Sequence, residues 1–157
     1  MKSRLAPDAI NAFFADHFPQ IGPGRDFVVE EAGQRFARMR LLYSDRRLRP
    51  GGTISGPAMF ELADLALYAA ILAELGVGDD PARADRSRGA LAVTTNLNIN
   101  FLRKPAPGDL IADARLMKVG RRLIVGEAWL HPEGDAEPVA HATGAYSVPP
   151  PGADLVG

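Results

Sequence analysis

The sequence predicts an α+β domain in which a curved antiparallel sheet wraps around one long central helix. Two observations lead to this class. Small and apolar residues fill the run 57–75, which suits a buried helix, and from residue 90 onward the hydrophobic pattern changes to a period of two, which is typical of strands. An apolar helix followed by strands buries its surface against their sheet. With 157 residues the chain fits one domain, 1–157, with a core at about 25–148.

The long helix has well-marked ends. Ser55 can cap its first turn, Pro57 suits the start of a helix, and Gly76 can end it. Glu61 lies in the early turns, where its charge suits the helix dipole. The same run is about as long as a membrane span, but its carboxylates would be costly in hydrocarbon. We therefore expect a helix buried in protein and no membrane insertion.

Shorter elements flank this helix on both sides. Residues 7–18 predict an amphipathic helix that packs as a lid or flank, and residues 26–31 and 35–43 predict an opening hairpin. Four strands should follow the helix as an antiparallel meander. Their ranges are 91–102, 110–119, 122–131 and 138–148. We expect the loop 76–89 to be a mobile surface segment and the tail 149–157 to be disordered or extended.

Composition excludes several classes of function. Eighteen basic and nineteen acidic residues leave a net charge of −1, so no summed field favours nucleic acid or an anionic membrane. The chain has no cysteine, which excludes disulfides, thiolate metal sites and a cysteine nucleophile and suits the cytoplasm. His131 and His141 have no carboxylate at metal-ligand spacing, so no metal site is expected.

Asp64 lies in the middle of the apolar helix and is the residue that the packing pattern leaves unexplained. A buried carboxylate must accept hydrogen bonds, be neutral or reach a cleft. Glu61 precedes it by three positions and Tyr68 follows by four, so the three side chains can share one stripe that opens to a polar groove. The pattern leaves two interpretations open: Asp64 works in a groove, or it pairs with a basic residue across a subunit contact.

The motif around Asp64 resembles a known family. Residues 51–70, GGTISGPAMFELADLALYAA, resemble the central helix of hotdog-fold acyl-CoA thioesterases of the PaaI-like family. In that family a histidine-glycine-glycine opening precedes a leucine-alanine-aspartate triplet. Here the opening reads SGP at 55–57 and the triplet reads LAD at 62–64. The polar-alternating strand, Pro-Gly-Asp break and glycine-turn hairpin within 94–130 extend the resemblance, which covers about 34–148.

The resemblance implies hydrolysis of acyl-CoA thioesters, without a cofactor, by a homodimer or a dimer of dimers. It makes Asp64 the general base or nucleophile, and it makes the amide of Gly56 the donor to the thioester oxygen at the helix N-terminus. Thr94, or Thr95 by a shifted match, would orient the nucleophile, in this family usually from the neighbouring subunit. Further residues are expected to bind substrate, the basic ones through the phosphates of CoA. They are Thr95, Glu61, Tyr68, Arg103, Lys104, Lys118, Arg121 and Arg122.

Three positions depart from the family pattern. The histidine is replaced by Ser55, the second glycine by Pro57, and the asparagine expected six residues before the histidine by Arg49. Pro57 removes one backbone donor but leaves that of Gly56, and Ser55 can cap or hold a water but carries no charge. Arg49 could contact a thioester oxygen, pair with Asp64 or face solvent. The alternative function is therefore a non-catalytic acyl-CoA or small-ligand binding protein on the same fold.

A second hotdog enzyme class shares one spacing with this chain. Glu31 follows His17 by fourteen residues, as the glutamate follows the histidine in hydroxyacyl-carrier-protein dehydratases. In that class the glutamate lies on the long central helix, whereas Glu31 is predicted to lie in a strand. The context therefore argues against a dehydratase.

Overall fold

The computed structural model describes residues 6–77 and 88–151. Its elements, in chain order, are α1 (Pro7–His17), β1 (Phe27–Gly33), β2 (Phe36–Leu41), α2 (Gly56–Leu75), β3 (Val93–Phe101), β4 (Leu110–Val119), β5 (Leu123–Pro132) and β6 (Ala140–Ser147). Each predicted element is present, with bounds within about two residues of those predicted. Most of the predicted surface loop and of the predicted tail lies outside the described residues.

All six strands form one antiparallel sheet, and its order corrects the predicted meander. The order is β1-β2-β4-β5-β6-β3, so β4, β5 and β6 are neighbours as predicted, but β3 pairs with β6 instead of β4. The segment between β3 and β4 contains Pro105 and Pro107 and is too long for a tight hairpin, so it can cross to the far side of the sheet. The result places β3 at an edge.

Helix α2 lies against the sheet, and its ends are those predicted. The hydroxyl of Ser55 accepts a hydrogen bond from the amide of Ala58 at 3.3 Å, and Gly76 follows the last turn at a φ of 90°. Twelve side chains of the helix are buried, which is why its sequence is apolar on every face. None of the described helices has the length and hydropathy that a membrane span requires.

Two glycines of the sheet allow the helix to pack closely against it. Gly126 on β5 and Gly144 on β6 are paired across the strands, and Leu67 lies directly above both. A Cβ at Gly126 would come within 2.8 Å of a Leu67 methyl and 2.8 Å of the Arg115 carbonyl oxygen. A side chain here would therefore push the helix away from the sheet.

Helix α1 covers the opposite edge of the sheet. Asn11 donates to the carbonyl of Val29 at 2.9 Å and accepts from the amide of the same residue at 2.8 Å, so it replaces a neighbouring strand at that point of β1. Ile10 and Phe14 are buried beneath the helix. The edge formed by β1 is thus partly protected, whereas β3 lies at the other edge.

Replacing Gly126 by alanine should lower the free energy of unfolding by about 1–3 kcal/mol, because the added methyl overpacks the contact with Leu67. Urea denaturation monitored by circular dichroism measures the change. Gly33→Ala is the matched control, since its added Cβ would have only the ring of Phe36 nearby, at 3.9 Å. We expect that control to change stability by less than about 0.5 kcal/mol. Equal effects of the two substitutions would contradict the close helix–sheet contact.

Candidate active site

A cavity of about 810 Å³ opens between α1, the middle of α2 and the start of β3. Glu61, Asp64 and Tyr68 all line it, so the three side chains share one side of the long helix, as their spacing predicts. The rest of the lining is mainly apolar and aromatic. It consists of Phe13, His17, Phe18, Gln20, Ile21, Leu65, Ala90, Leu91, Ala92, Thr94 and Tyr146. The one carboxylate at the centre of the helix therefore faces a space large enough for a ligand.

Two hydroxyl groups donate to the same oxygen of Asp64. The Oγ1 of Thr94 and the phenol of Tyr146 each lie 2.7 Å from Oδ1. The phenol is also 3.1 Å from the backbone oxygen of Asp64. No described residue donates to Oδ2, and no described basic residue forms an ion pair with the side chain. Asp64 is half-buried and is held by neutral donors.

A β-bulge directs Thr94 toward Asp64. Thr94 pairs with Tyr146 across β3 and β6, but the next pair is Asn96 with Ala145, so Thr95 is the extra residue. The hydroxyl of Thr95 bonds the carbonyl of Ala145 at 3.2 Å and does not contact Asp64. Of the two threonines considered from the sequence, Thr94 is thus the one on the carboxylate. It belongs to the same chain as Asp64, which corrects the expectation of a neighbouring subunit.

Both tyrosines of the cavity remain protonated at neutral pH. Burial, and then the negative charge of Asp64, raise the pKa of Tyr146 far above its usual range. Burial also raises the pKa of Tyr68 to about 12, and its hydroxyl donates to the carbonyl of Ala90 at 2.7 Å. Tyr146 can therefore act as a hydrogen-bond donor to a charged carboxylate throughout the physiological range.

Glu61 is fixed by a residue that the sequence analysis missed. A guanidinium nitrogen of Arg47 lies 2.8 Å from Oε2 of Glu61, and the guanidinium carbon lies 4.9 Å from the ring centre of Phe27. This arrangement orients the Glu61 carboxylate at the wall of the cavity.

The helix N-terminus opens into a different cavity of about 540 Å³. Gly56, Arg49, Phe101 and Lys104 line it, and Asp64 does not. Gly56 and Asp64 are eight residues apart on one helix, which places them about 12 Å apart along its axis. One chain therefore does not bring the Gly56 amide and the Asp64 carboxylate to a single thioester.

The structure gives Arg49, Ser55 and Gly56 different positions and contacts at the helix start. Arg49 is exposed, and its backbone closes the turn to Thr53, but its side chain does not pair with Asp64 in this chain. Ser55 uses its hydroxyl as the helix cap. The Gly56 amide donates to no described residue, and a Cβ at this position would come within 3.3 Å of the Phe101 ring. A free backbone donor thus remains at the positive end of the helix.

The other basic candidates lie away from Asp64. Lys118 and Arg121 are exposed near the β4–β5 turn and line neither cavity. Arg122 lines a shallow neighbouring depression that shares Leu91 with the larger cavity. Arg103 lines the cavity of Gly56, where it pairs with Asp135 at 2.7 Å.

His17 and Glu31, the two residues that share the dehydratase spacing, do not lie in one site. His17 lines the larger cavity, with its ring 4.9 Å from that of Phe13. Glu31 lies on β1, 3.7 Å from Arg38, and does not line that cavity. The shared spacing of His17 and Glu31 therefore has no counterpart in space.

Known proteins match this chain over most of its length. A family model described as the thioesterase superfamily matches residues 51–139. A protein of Halobacterium salinarum, provisionally named an esterase, is 33% identical over 125 residues, which is 76% of each chain. The residues matched by the family model include α2 and strands β3, β4 and β5.

Solved structures agree with this assignment. A provisionally named thioesterase from Silicibacter sp. TM1040 is 44% identical, with 96% of each chain covered and a TM-score of 0.79. The phenylacetic acid degradation protein PaaI from Thermus thermophilus, solved as a point mutant, is 20% identical over 78% of this chain and 92% of its own, with a TM-score of 0.60; it shares the fold. Because the family model covers more than half of the sequence and the sheet encloses one long helix, the chain belongs to the thioesterase superfamily and has the hotdog fold.

Proposed function

We propose that this thioester hydrolase acts on acyl-CoA and that Asp64 performs the chemistry. The observation that carries the proposal is the carboxylate in the cavity, with Oδ1 bound by two hydroxyls and Oδ2 without a donor among the described residues. A carboxylate presented in this way can accept a proton or attack a carbonyl. The apolar lining beside it suits an acyl group.

The reaction can proceed with Asp64 as general base. The carboxylate takes a proton from a water as the water oxygen attacks the thioester carbon, and the carbonyl oxygen becomes negatively charged. Collapse of this intermediate breaks the carbon–sulfur bond, and the proton held by Asp64 passes to the departing thiolate. The products are free CoA and a carboxylic acid. The alternative is direct attack by Asp64, which forms a mixed anhydride that water then hydrolyses.

The donor for the charged oxygen is assigned to Gly56 of a second copy. In one chain, the Gly56 amide and Asp64 face separate cavities. Gly56 lies against Phe101 at the end of β3, whereas Asp64 is bonded to Thr94 at the start of the same strand. If two β3 strands pair antiparallel about a twofold axis, the end of one lies beside the start of the other. The Gly56 amide of each copy then approaches the Asp64 of the other.

Strand β3 has the properties of a pairing edge. It lies at the end of the sheet and contains no proline and no charged residue, so nothing in its sequence blocks a further strand. Large apolar side chains are exposed at both of its ends, among them Val93 at 63%, Phe101 at 49% and Leu102 at 53%. These features support a homodimer. Two such dimers can associate further into a dimer of dimers.

The assembled site would also bring basic groups to the substrate. Arg49 and Lys104 line the Gly56 cavity and are the nearest candidates for the phosphates of CoA, with Arg122 beyond Leu91 as a further one. Lys118 and Arg121 lie farther from both cavities. We also propose a cytoplasmic location, where acyl-CoA is available; the support from this chain is its lack of cysteine.

One observation favours a non-catalytic binding protein instead. At the helix N-terminus the hydroxyl of Ser55 is used as the cap, and Pro57 has no amide hydrogen. In the first turn this leaves the amide of Gly56 as the one free backbone donor that faces the smaller cavity. A single donor stabilises a charged oxygen less than two do. Turnover measurements decide between the two functions.

Wild-type protein should release free CoA from at least one member of a panel of short, medium, long and aryl acyl-CoAs. Asp64→Asn should lower kcat by about 10²–10⁴-fold, because the amide cannot accept the proton. A thiol reagent follows the release, while circular dichroism and size-exclusion chromatography report folding and assembly. Turnover of Asp64→Asn near the wild-type rate would make Asp64 structural. Measurable binding without turnover of any substrate by the wild type would identify a binding protein.

A mixed dimer tests the shared site. Asp64→Asn and Gly56→Pro chains, co-expressed with different tags and purified together, should have about half of the wild-type activity, because one of two symmetric sites keeps both groups. Each variant alone should be inactive or nearly so. If each site lay within one chain, every chain of the mixed dimer would be defective and no activity would return.

The control for this experiment is Gly56→Ala. Alanine adds the same Cβ against the Phe101 ring but keeps the amide hydrogen, whereas proline removes that hydrogen and suits the first helical position. The difference in kcat between the two variants measures the contribution of the backbone donor. Equal losses would show that crowding at Phe101, and not the missing donor, lowers activity.

A further inference from the structure

Tyr146 contacts the proposed catalytic carboxylate, although the sequence pattern gave it no role. We propose that Tyr146 is a positioning residue that, together with Thr94, binds Oδ1 of Asp64 and leaves Oδ2 as the reacting oxygen. The inference rests on the proposed function of Asp64 and deepens it, since it assigns different tasks to the two oxygens of one side chain.

The hydrogen-bond count supports this division. Each carboxylate oxygen has two lone-pair sites, and Oδ1 receives two donors, the hydroxyls of Thr94 and Tyr146, at 2.7 Å each. Oδ1 is therefore saturated. Oδ2 receives no donor from the described residues, and the half-buried side chain lines the cavity. A water or a thioester carbon in the cavity can accordingly engage Oδ2 without breaking an existing hydrogen bond.

The phenol also fixes the rotamer of Asp64. Its oxygen lies 2.7 Å from Oδ1 and 3.1 Å from the backbone oxygen of the same residue, so it links the carboxylate to its own main chain. Tyr146 is itself 1% exposed, so its hydroxyl has no access to bulk solvent as an alternative partner. A group held in this way keeps one orientation before substrate arrives, which reduces the ordering that the reaction must otherwise impose.

The tyrosine ring has little freedom to move. It lies on β6 between Ile124 of β5 and Thr94 of β3, and a Cβ at Gly144 would be only 3.2 Å from one of its ring carbons. Gly144 also accommodates Leu67 of α2. The sheet, the helix and the phenol thus form one rigid unit around Asp64.

Tyr146→Phe removes the hydroxyl and keeps the ring. We expect kcat to fall about 10- to 100-fold, because the carboxylate loses its alignment, with KM unchanged within about twofold because no substrate contact is removed. A purely structural role for the hydroxyl would alter thermal stability without this separation of kcat from KM.

Tyr43→Phe is the matched control. Its hydroxyl also donates to a carboxylate, Oδ1 of Asp45 at 2.5 Å, but the pair is exposed and lies outside both cavities. The same chemical change at Tyr43 should leave kcat and KM at wild-type values. If Tyr43→Phe lowered kcat as much as Tyr146→Phe, the effect would not come from the Asp64 contact.

A measurement without substrate separates this inference from the proposed function. Carbon-13 NMR, with the Asp64 carboxyl signal assigned by its loss in Asp64→Asn, reports the hydrogen bonding of the side chain directly. The chemical shift of this signal should change in Tyr146→Phe, because Oδ1 loses one of its two donors. That result would stand even if no thioester were hydrolysed, an outcome that would refute the proposed function alone. An unchanged chemical shift together with an unchanged kcat would overturn the role of Tyr146.

Thr94 provides a second variant if Tyr146→Phe does not fold. Thr94 lies on an exposed part of β3, so Thr94→Val removes the other donor to Oδ1 with little effect on the core. We expect kcat to fall and the carboxyl chemical shift to change here too, and we expect Thr94→Ser, which keeps the hydroxyl, to restore both. Wild-type behaviour of Thr94→Val in both measurements would overturn the two-donor arrangement.

Discussion

The site depends on the close packing of α2 against the paired glycines of β5 and β6. Leu67 lies above Gly126 and Gly144, Asp64 precedes Leu67 by three residues on the helix, and Tyr146 follows Gly144 by two residues on the strand. Those spacings keep Asp64 and Tyr146 on the surfaces that face each other. The 2.7 Å contact between them is therefore set by how closely the backbones approach, and a larger residue at either glycine would separate the two groups.

Much of the fold follows from local patterns. The Ser55 cap, the terminal Gly76 and the apolar run between them define α2 correctly, and the period-two pattern finds β4, β5 and β6 within about two residues. The stripe of Glu61, Asp64 and Tyr68 is equally local, because helical spacing alone places these side chains together. Such features depend on neighbours within a few positions of the chain.

The remaining features depend on long-range pairing. Whether β3 joins β4 or β6 is decided by how the segment between β3 and β4 crosses the fold, and alternation within β3 carries no information on that choice. The bulge at Thr95 reverses the alternation of side chains at Thr94. The face of the sheet on which Thr94 lies therefore cannot be deduced by counting back from Leu97 or Ile99. Tyr146 and Arg47 were missed because each reaches its carboxylate from outside the helix, 82 residues from Asp64 and 14 residues from Glu61, where helical spacing gives no signal.

The departures from the family pattern at the helix start have a structural meaning. Ser55 stabilises the helix by capping it, and Gly56 keeps its amide free beside Phe101, so the turn retains its fold and one donor although the histidine is absent. That donor and Asp64 lie at opposite ends of β3, so on the proposed function an isolated chain holds the base without the group that stabilises the charged oxygen. On the proposed function, pairing of the β3 edges completes the chemistry as well as covering exposed apolar surface, and activity requires assembly.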